Sequence, residues 1–253
     1  GQDGEDDPQE LANELVAHLD GHHPDELMSA LDALRDRQLY DISLVLLEAA
    51  WNANLPPDRL GRIAEDWLGT VSEGLSDGPG ARIVAEHLAK TVADHGAAFA
   101  SDFGHLLLSY TMYDLARPFV ERAARDLPGD LSARFNLGVV HKYSASWKSA
   151  QEAFLIVLKG RPGDEAALWN LGIVSTALRD WPNARQAWDR LGIRLPEGQD
   201  DFVGAEGEMV PVRIQCDPGG RSTYEAVWAT RLGPARARLV GIPRFTTTMT
   251  LGD

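Results

Sequence analysis

A pattern that recurs after 34 residues constrains this chain more than any other feature of its sequence. The pairs of matching residues are Asn136/Asn170, Gly138/Gly172, Trp147/Trp181, Ala150/Ala184 and Pro162/Pro196. A fixed period of this length is typical of proteins in which each repeat is one supersecondary unit. A pair of helices cannot bury its apolar face alone, so successive pairs are expected to stack and share a continuous core.

The matching residues have distinct structural roles. Gly138 and Gly172 are expected to bring the two helices of a pair close together. Asp130 and Asp164, each in the sequence PGD, are placed to cap the first helix of the next pair. A proline then stops each second helix. The repeat therefore predicts helix pairs with closely packed crossings.

With these residues, the segment 97–198 resembles the tetratricopeptide repeat family. The resemblance implies a mostly α fold, an α-solenoid of helix pairs, with repeats at 97–130, 131–164 and 165–198. Degenerate pairs of the same type are predicted over 9–95, after a disordered acidic end at 1–8. In the pair at 62–95, Gly69 is aligned with Gly104, and Ala81 is aligned with Ala116, each 35 residues later.

The composition changes after Pro196, and the C-terminal region 199–253 is predicted to be a small antiparallel β region. The runs PVRIQC, EAVWATRL, RARLVGIP and TTTMTL read as three or four antiparallel strands, with a hairpin turning at Gly233 and Pro234. A bare hairpin is marginal in water, so these strands are expected to pack on the helices or to continue in further residues. The whole arrangement also resembles a group of uncharacterised bacterial repeat proteins.

The charge and the cysteine content limit the partners and the location. The net charge of −14 argues against binding to nucleic acid or to an anionic membrane surface. The single cysteine, Cys216, excludes an intramolecular disulfide and fits a reducing compartment. We therefore predict a cytoplasmic protein, a monomer or weak homodimer, and leave open a processed secretion signal.

No group of residues in the sequence has the pattern of a catalytic or metal site. The glycine-rich turns lack the lysine of a phosphate-binding loop. His18, His22 and His23 lie close together, but Gly21 interrupts the helix that would align them as metal ligands. We therefore expect no enzyme activity, no cofactor and no metal.

By the resemblance, the first helix of each repeat lines a groove that binds partners. The residues that map to the groove are His105, Leu108, Phe135, Val139, Lys142, Tyr143, Trp169, Ile173 and Thr176. Family members that grip chaperone carboxylates use Lys, Arg and Asn there, whereas this chain has Val139, Trp169 and Ile173. Carboxylate binding is therefore not expected. Either a segment of a partner protein or the chain's own C-terminal strands would cover this apolar groove.

The sequence predicts a scaffold or adaptor that recognises a protein or peptide segment in the groove. The alternative is that the repeats are the docking or regulatory module of a larger protein. Its catalytic or ligand-binding β domain would then begin in the C-terminal region.

Overall fold

Helix pairs followed by a small sheet make up the described part of the chain. The computed structural model describes residues 12, 16–18, 24–53, 55–195, 207–216, 223–241 and 244. The acidic end at 1–8 and the last predicted strand, within TTTMTL, lie outside these residues. Residues 12 and 16–18 are helical. The predicted class, mostly α with repeated helix pairs and a small antiparallel β region, is confirmed.

The helices and strands have the following bounds in chain order. They are α1 Pro24–Asp36, α2 Tyr40–Asn52, α3 Pro57–Gly69, α4 Gly78–Thr91, α5 Ala97–Ser109, α6 Tyr113–Asp126, α7 Leu131–Tyr143, α8 Trp147–Gly160, α9 Glu165–Ala177, α10 Trp181–Arg190, β1 Met209–Cys216, β2 Thr223–Gly233 and β3 Arg236–Leu239. A π-helical turn, Thr70–Gly74, continues α3. Among the described residues, no helix combines the length and the apolar character needed to cross a membrane.

The chain divides into two compact units, one that ends at Asn136 and one that begins at Leu137. The first unit contains α1 to α6 and the start of α7. The second contains the rest of α7, α8 to α10 and the three strands. The subdivision predicted from the sequence, with divisions at residues 97 and 199, follows repeat type and composition and stays a prediction.

The helices from α5 to α10 begin at a spacing of 34 residues. The first helices of the pairs begin at 97, 131 and 165, and the second helices begin at 113, 147 and 181. The predicted caps are present. A carboxylate oxygen of Asp130 accepts hydrogen bonds from the backbone N–H groups of Ser132, at 2.8 Å, and Ala133, at 3.2 Å. Asp164 accepts one from Ala167 at 2.9 Å. These bonds satisfy donors that a helix start leaves free.

The turn inside each helix pair contains one residue in the left-handed conformation, and none of these residues is glycine. Within the described residues they are Gln38, Ser76, Thr111, Ala145 and Arg179, with φ between 53° and 59°. In each case the second helix begins two residues later. The next backbone N–H donates to a carbonyl of the first helix, for example Ser146 to His141 at 2.9 Å and Asp180 to Ser175 at 2.8 Å. These bonds end the first helix and stabilise the turn that leads into the second helix.

Glycines mark the close crossings, as predicted. A Cβ atom added to Gly138 would lie 2.7 Å from the ring of Phe154. At Gly172 the corresponding distance, to the ring of Trp188, is 2.5 Å. Any larger residue would collide with the second helix of the pair.

The three strands form one antiparallel sheet in the order β1-β2-β3. Ile214, Val227, Ala229 and Leu239 form its buried apolar cluster. The turn between β2 and β3 is formed by residues 234 and 235, one position later than predicted, because Gly233 still belongs to β2.

Candidate functional site

The first helices of the pairs in the second unit, α7 and α9, are joined by a polar contact. The ammonium group of Lys142 donates a hydrogen bond to the side-chain oxygen of Asn170 over 2.7 Å. The same ammonium group lies 4.5 Å from the ring centroid of Tyr143. The amide of Asn170 donates to the carbonyl of Ala166 at 2.8 Å, which fixes its orientation. The contact therefore holds neighbouring parts of α7 and α9 in register.

Two large aromatic side chains are exposed beside this contact. Tyr143 is 55% exposed and Trp169 is 45% exposed, next to Lys142 and Asn170 in sequence. Val139 and Ile173 are half-buried. We call these residues, Val139, Lys142, Tyr143, Trp169 and Ile173, the α7–α9 surface.

Trp169 packs against a buried residue of the core. Its ring meets the ring of Trp188 edge to face, at 84° and 5.2 Å between centroids. Trp188 itself is fully buried. Aromatic pairs with this geometry are attractive beyond the area they bury. A partner that contacts Trp169 would therefore meet a side chain that has already lost much of its freedom.

Two of the nine residues predicted for the groove do not face solvent. Leu108 is 9% exposed and Thr176 is 6% exposed. The hydroxyl of Thr176 donates to the carbonyl of Gly172 at 2.7 Å, so its polar group is used within α9. His105 is exposed and Phe135 is half-buried, and both belong to the first unit. Asn170, which matches Asn136 in the 34-residue repeat, contacts this surface through its hydrogen bond with Lys142.

The hairpin of β2 and β3 contacts the last helix pair. Ala235 packs against the apolar cluster around Trp188, together with Leu191 and Ile193. The guanidinium of Arg236 lies 5.8 Å from the ring centroid of Trp181. These contacts leave Trp169 and Tyr143 exposed. The described strands therefore do not cover these two side chains.

The polar groups of the last pair are arranged around Asp180, the N-cap of α10. Its carboxylate accepts hydrogen bonds from the side-chain amides of Asn183 and Gln151, each at 2.7 Å. The bond from the Asn183 side chain is the main reason why the pKa of Asp180 lies below its ordinary value. Burial opposes this effect, and Gln151 adds to it. Gln151 also donates to the hydroxyl of Ser175 at 3.0 Å. Asp180 thus ties α8 and α9 to the start of α10.

Replacing Asp180 with alanine is expected to lower the free energy of unfolding by about 1 kcal/mol at pH 7. The pKa of this carboxylate is lower in the folded protein than in the unfolded chain, where it is about 4. The carboxylate therefore stabilises the fold at pH values above about 4, and this contribution is lost as the pH falls through the folded-state pKa. The difference between the two proteins should therefore shrink below about pH 4. Urea unfolding at a series of pH values measures it. Asp189→Ala, at an exposed position of α10, is the control. A difference for Asp180→Ala that is constant down to pH 2 would contradict the role of the carboxylate.

Within the described residues, no group of three or more His, Cys, Asp or Glu side chains could hold a metal ion. The chemistry that the α7–α9 surface offers is apolar and aromatic contact with one positive group, Lys142. Such a surface suits the burial of a side chain from a binding partner.

Solved structures share the arrangement of helix pairs. MamA 41-end from Desulfovibrio magneticus RS-1 matches 69% of this chain and 97% of its own, with 17% identity and a TM-score of 0.50. The MamA RS-1 ArsTM double mutant matches 66% of this chain and 92% of its own, with 18% identity and a TM-score of 0.50. The chain has a tetratricopeptide-repeat fold. No protein-family model matches this sequence, and no curated protein matches it either.

Proposed function

We propose that this protein is a scaffold or adaptor that binds a segment of another protein on the α7–α9 surface. The observation that carries the proposal is the exposure of Tyr143 and Trp169 beside the hydrogen bond between Lys142 and Asn170. Large aromatic residues that are exposed and held by their neighbours are typical anchors of protein interfaces. The tetratricopeptide-repeat fold supports the same function, because the first helices of its repeats line a binding groove.

The chemistry of the surface indicates what the partner segment presents. Val139 and Ile173 add half-buried apolar side chains on the same two helices, so an apolar or aromatic side chain fits this surface. The net charge of −14 disfavours nucleic acid and strongly acidic segments. The single cysteine fits a cytoplasmic location, and we propose that the protein acts there as a monomer or weak homodimer.

The double replacement Tyr143→Ala/Trp169→Ala is expected to abolish capture of the partner. Truncation of one hot-spot aromatic residue weakens binding by about 2 kcal/mol or more, which is about 30-fold. The measurement is quantitative mass spectrometry of proteins that a tagged full chain captures from its native cells. The captured partner is then titrated with both proteins in purified form.

The matched control is Tyr224→Ala/Trp228→Ala, which removes the same two residue types from exposed positions of the sheet. Far-UV circular dichroism should show the same helicity in both variants. The proposal is wrong if the captured proteins bind Tyr143→Ala/Trp169→Ala as tightly as the unmodified chain. Loss of binding in the sheet variant alone would instead support the predicted alternative, in which the C-terminal β region carries the activity of a larger protein.

A further inference from the structure

The second helix pair contains an insertion that no other described pair has. α1, α3, α5, α7 and α9 all have 13 residues. The left-handed residue of the following turn stands 14 positions after the start of α1, α5, α7 and α9, as Gln38 does after Pro24. After α3 it is Ser76, which stands 19 positions after Pro57. The five extra residues match the length of the π-helical turn Thr70–Gly74. Insertions that form π-helical turns occur frequently at functional sites.

The inserted turn lines a cavity of about 620 Å³ in the first unit. Thr70, Glu73 and Gly74 belong to the turn, and the other walls come from α1, α2, α3 and the residue after α5. A cavity of this volume is in the range of small-ligand sites. The ring of Tyr40 lies directly against the turn, because a Cβ atom on Gly74 would be 2.7 Å from its Cε1 atom. The insertion therefore shapes the cavity.

The positive charges at the cavity are already neutralised. Arg35 donates to Asp66 at 2.7 Å and to Asp32 at 2.6 Å. Arg62 donates to the same two carboxylates, to Asp32 at 3.0 Å and to Asp66 at 3.2 Å. Burial is the main effect on Asp66 and raises its pKa, while Arg62 and Arg35 act in the opposite direction. Two arginines and two aspartates thus form a closed ion-pair cluster, which leaves little positive charge to attract an anion.

Two further carboxylates at the cavity lie outside this cluster of close ion pairs. Glu65 on α3 and Glu73 on the inserted turn line the cavity, and both are exposed. Among the described residues, neither is within hydrogen-bond or ion-pair distance of a partner, and the charge of Glu65 raises the pKa of Arg62 less than the charges of Asp66 and Asp32 do. They lie near Tyr110, whose pKa is raised mainly by burial and further by the charges of Glu73 and Glu65. The cavity therefore combines two carboxylates outside the ion-pair cluster with two tyrosine side chains, Tyr40 and Tyr110.

We propose that this cavity binds an alkylammonium or guanidinium group, with Glu65 and Glu73 as its counter-charges. The rings of Tyr40 and Tyr110 provide an aromatic wall for such a cation. The ion-pair cluster in the same lining joins α1 to α3, and its carboxylates offset the charges of Arg35 and Arg62. The cation is either a free small amine or a lysine or arginine side chain of a partner protein. This site lies in the first unit and is independent of the α7–α9 surface.

The test is a titration of the full chain, labelled with nitrogen-15, followed by the backbone amide signals of residues 69–74. The two probes are 1,5-diaminopentane, for a free amine, and the tripeptide acetyl-Gly-Lys-Gly-amide, for a protein side chain. We expect saturable shifts of these signals with at least one probe, and binding that weakens as salt is added. The probe that binds more tightly identifies the source of the cation. The tripeptide with an acetylated lysine should cause no shifts, because it has lost its charge.

The variant Glu65→Gln/Glu73→Gln should bind the probe at least about tenfold more weakly. Both positions are exposed and the replacements keep the shape of the side chains, so the melting temperature should not change. The matched control, Glu48→Gln/Glu121→Gln, removes two exposed glutamates that do not line the cavity and should bind within about twofold of the unmodified chain. The proposal is overturned if neither probe shifts these signals, or if the double variant binds as well as the control. It is equally overturned if inorganic phosphate shifts the signals and the amines do not, since the arginines would then be the binding groups.

Discussion

Replacing Trp188 with alanine is expected to lower the free energy of unfolding by about 3–5 kcal/mol. Trp188 is fully buried, and the other members of its apolar cluster include Ala184, Ile173 and Leu191. Removing the ring leaves a large cavity that these neighbours can only partly fill. Urea unfolding followed by far-UV circular dichroism measures the loss.

Two further variants show whether the loss comes from the buried ring. Trp228→Ala removes the same side chain from a position that is 56% exposed, and should change the stability by less than about 1 kcal/mol. Trp188→Phe should recover most of the stability. The indole Nε1 atom of Trp188 is buried without a hydrogen-bond partner in the described structure, so phenylalanine also removes an unsatisfied donor. Phe154 holds the same place one repeat earlier. A loss below about 1 kcal/mol for Trp188→Ala would show that this ring is not central to the core.

Replacing Gly172 with alanine is expected to cost about 1–3 kcal/mol, although alanine is the better helix former. The new Cβ atom would lie 2.5 Å from the ring of Trp188, so that the ring or the backbone of α9 must move. Gly163→Ala is the matched control, because a Cβ atom there has no other atom within 4 Å. The same unfolding experiment should show almost no change for this control.

The two replacements should not be additive, because they act on one contact. In the Trp188→Ala background the obstructing ring is absent, so Gly172→Ala should cost much less than it does alone. A double-mutant cycle of the four proteins measures this coupling. Equal costs in both backgrounds would place the strain of Gly172→Ala somewhere other than the ring of Trp188.

The sequence predicts the helices of residues 97–195 well because local chemistry marks several of their starts and crossings. Asp130 and Asp164 cap helices, and Gly138 and Gly172 mark the crossings where only glycine fits. These requirements repeat every 34 residues, so they support one another along the sequence. The same reasoning is weaker for the strands. Their order and pairing depend on contacts between distant residues, and the hairpin turn was placed one residue too early.

The alignment of Gly69 with Gly104 was wrong, and the insertion is the reason. Gly104 is the eighth residue of α5, and the eighth residue of α3 is Ala64, which is fully buried. Gly69 lies five positions further on, at the end of α3. In contrast, Ala81 and Ala116 occupy the same position in their helices, as predicted, since both follow the insertion. A π-helical turn has no distinct composition, so nothing in the sequence predicts it.

For the candidate binding residues too, the sequence predicts position better than exposure. Family resemblance places Trp169 and Tyr143 on the helices that line the groove, and the structure shows that both are exposed. The resemblance could not show that Leu108 and Thr176 are buried, because burial depends on the neighbours of each helix. Nor could it predict the cavity beside the inserted turn, which is built from three stretches of the chain, 35–40, 62–74 and residue 110.

The turns inside the helix pairs show how such a chain can diverge and keep its architecture. Five different amino acids, at positions 38, 76, 111, 145 and 179, adopt one backbone conformation that costs a non-glycine residue about 1 kcal/mol or more. Hydrogen bonds to the preceding helix hold the conformation, so the identity of the residue matters little. A repeat can therefore lose its recognisable consensus through successive substitutions at its turn while the next helix still returns along the same path. A single repeat can therefore also accommodate a local insertion while its two helices still pack in the array.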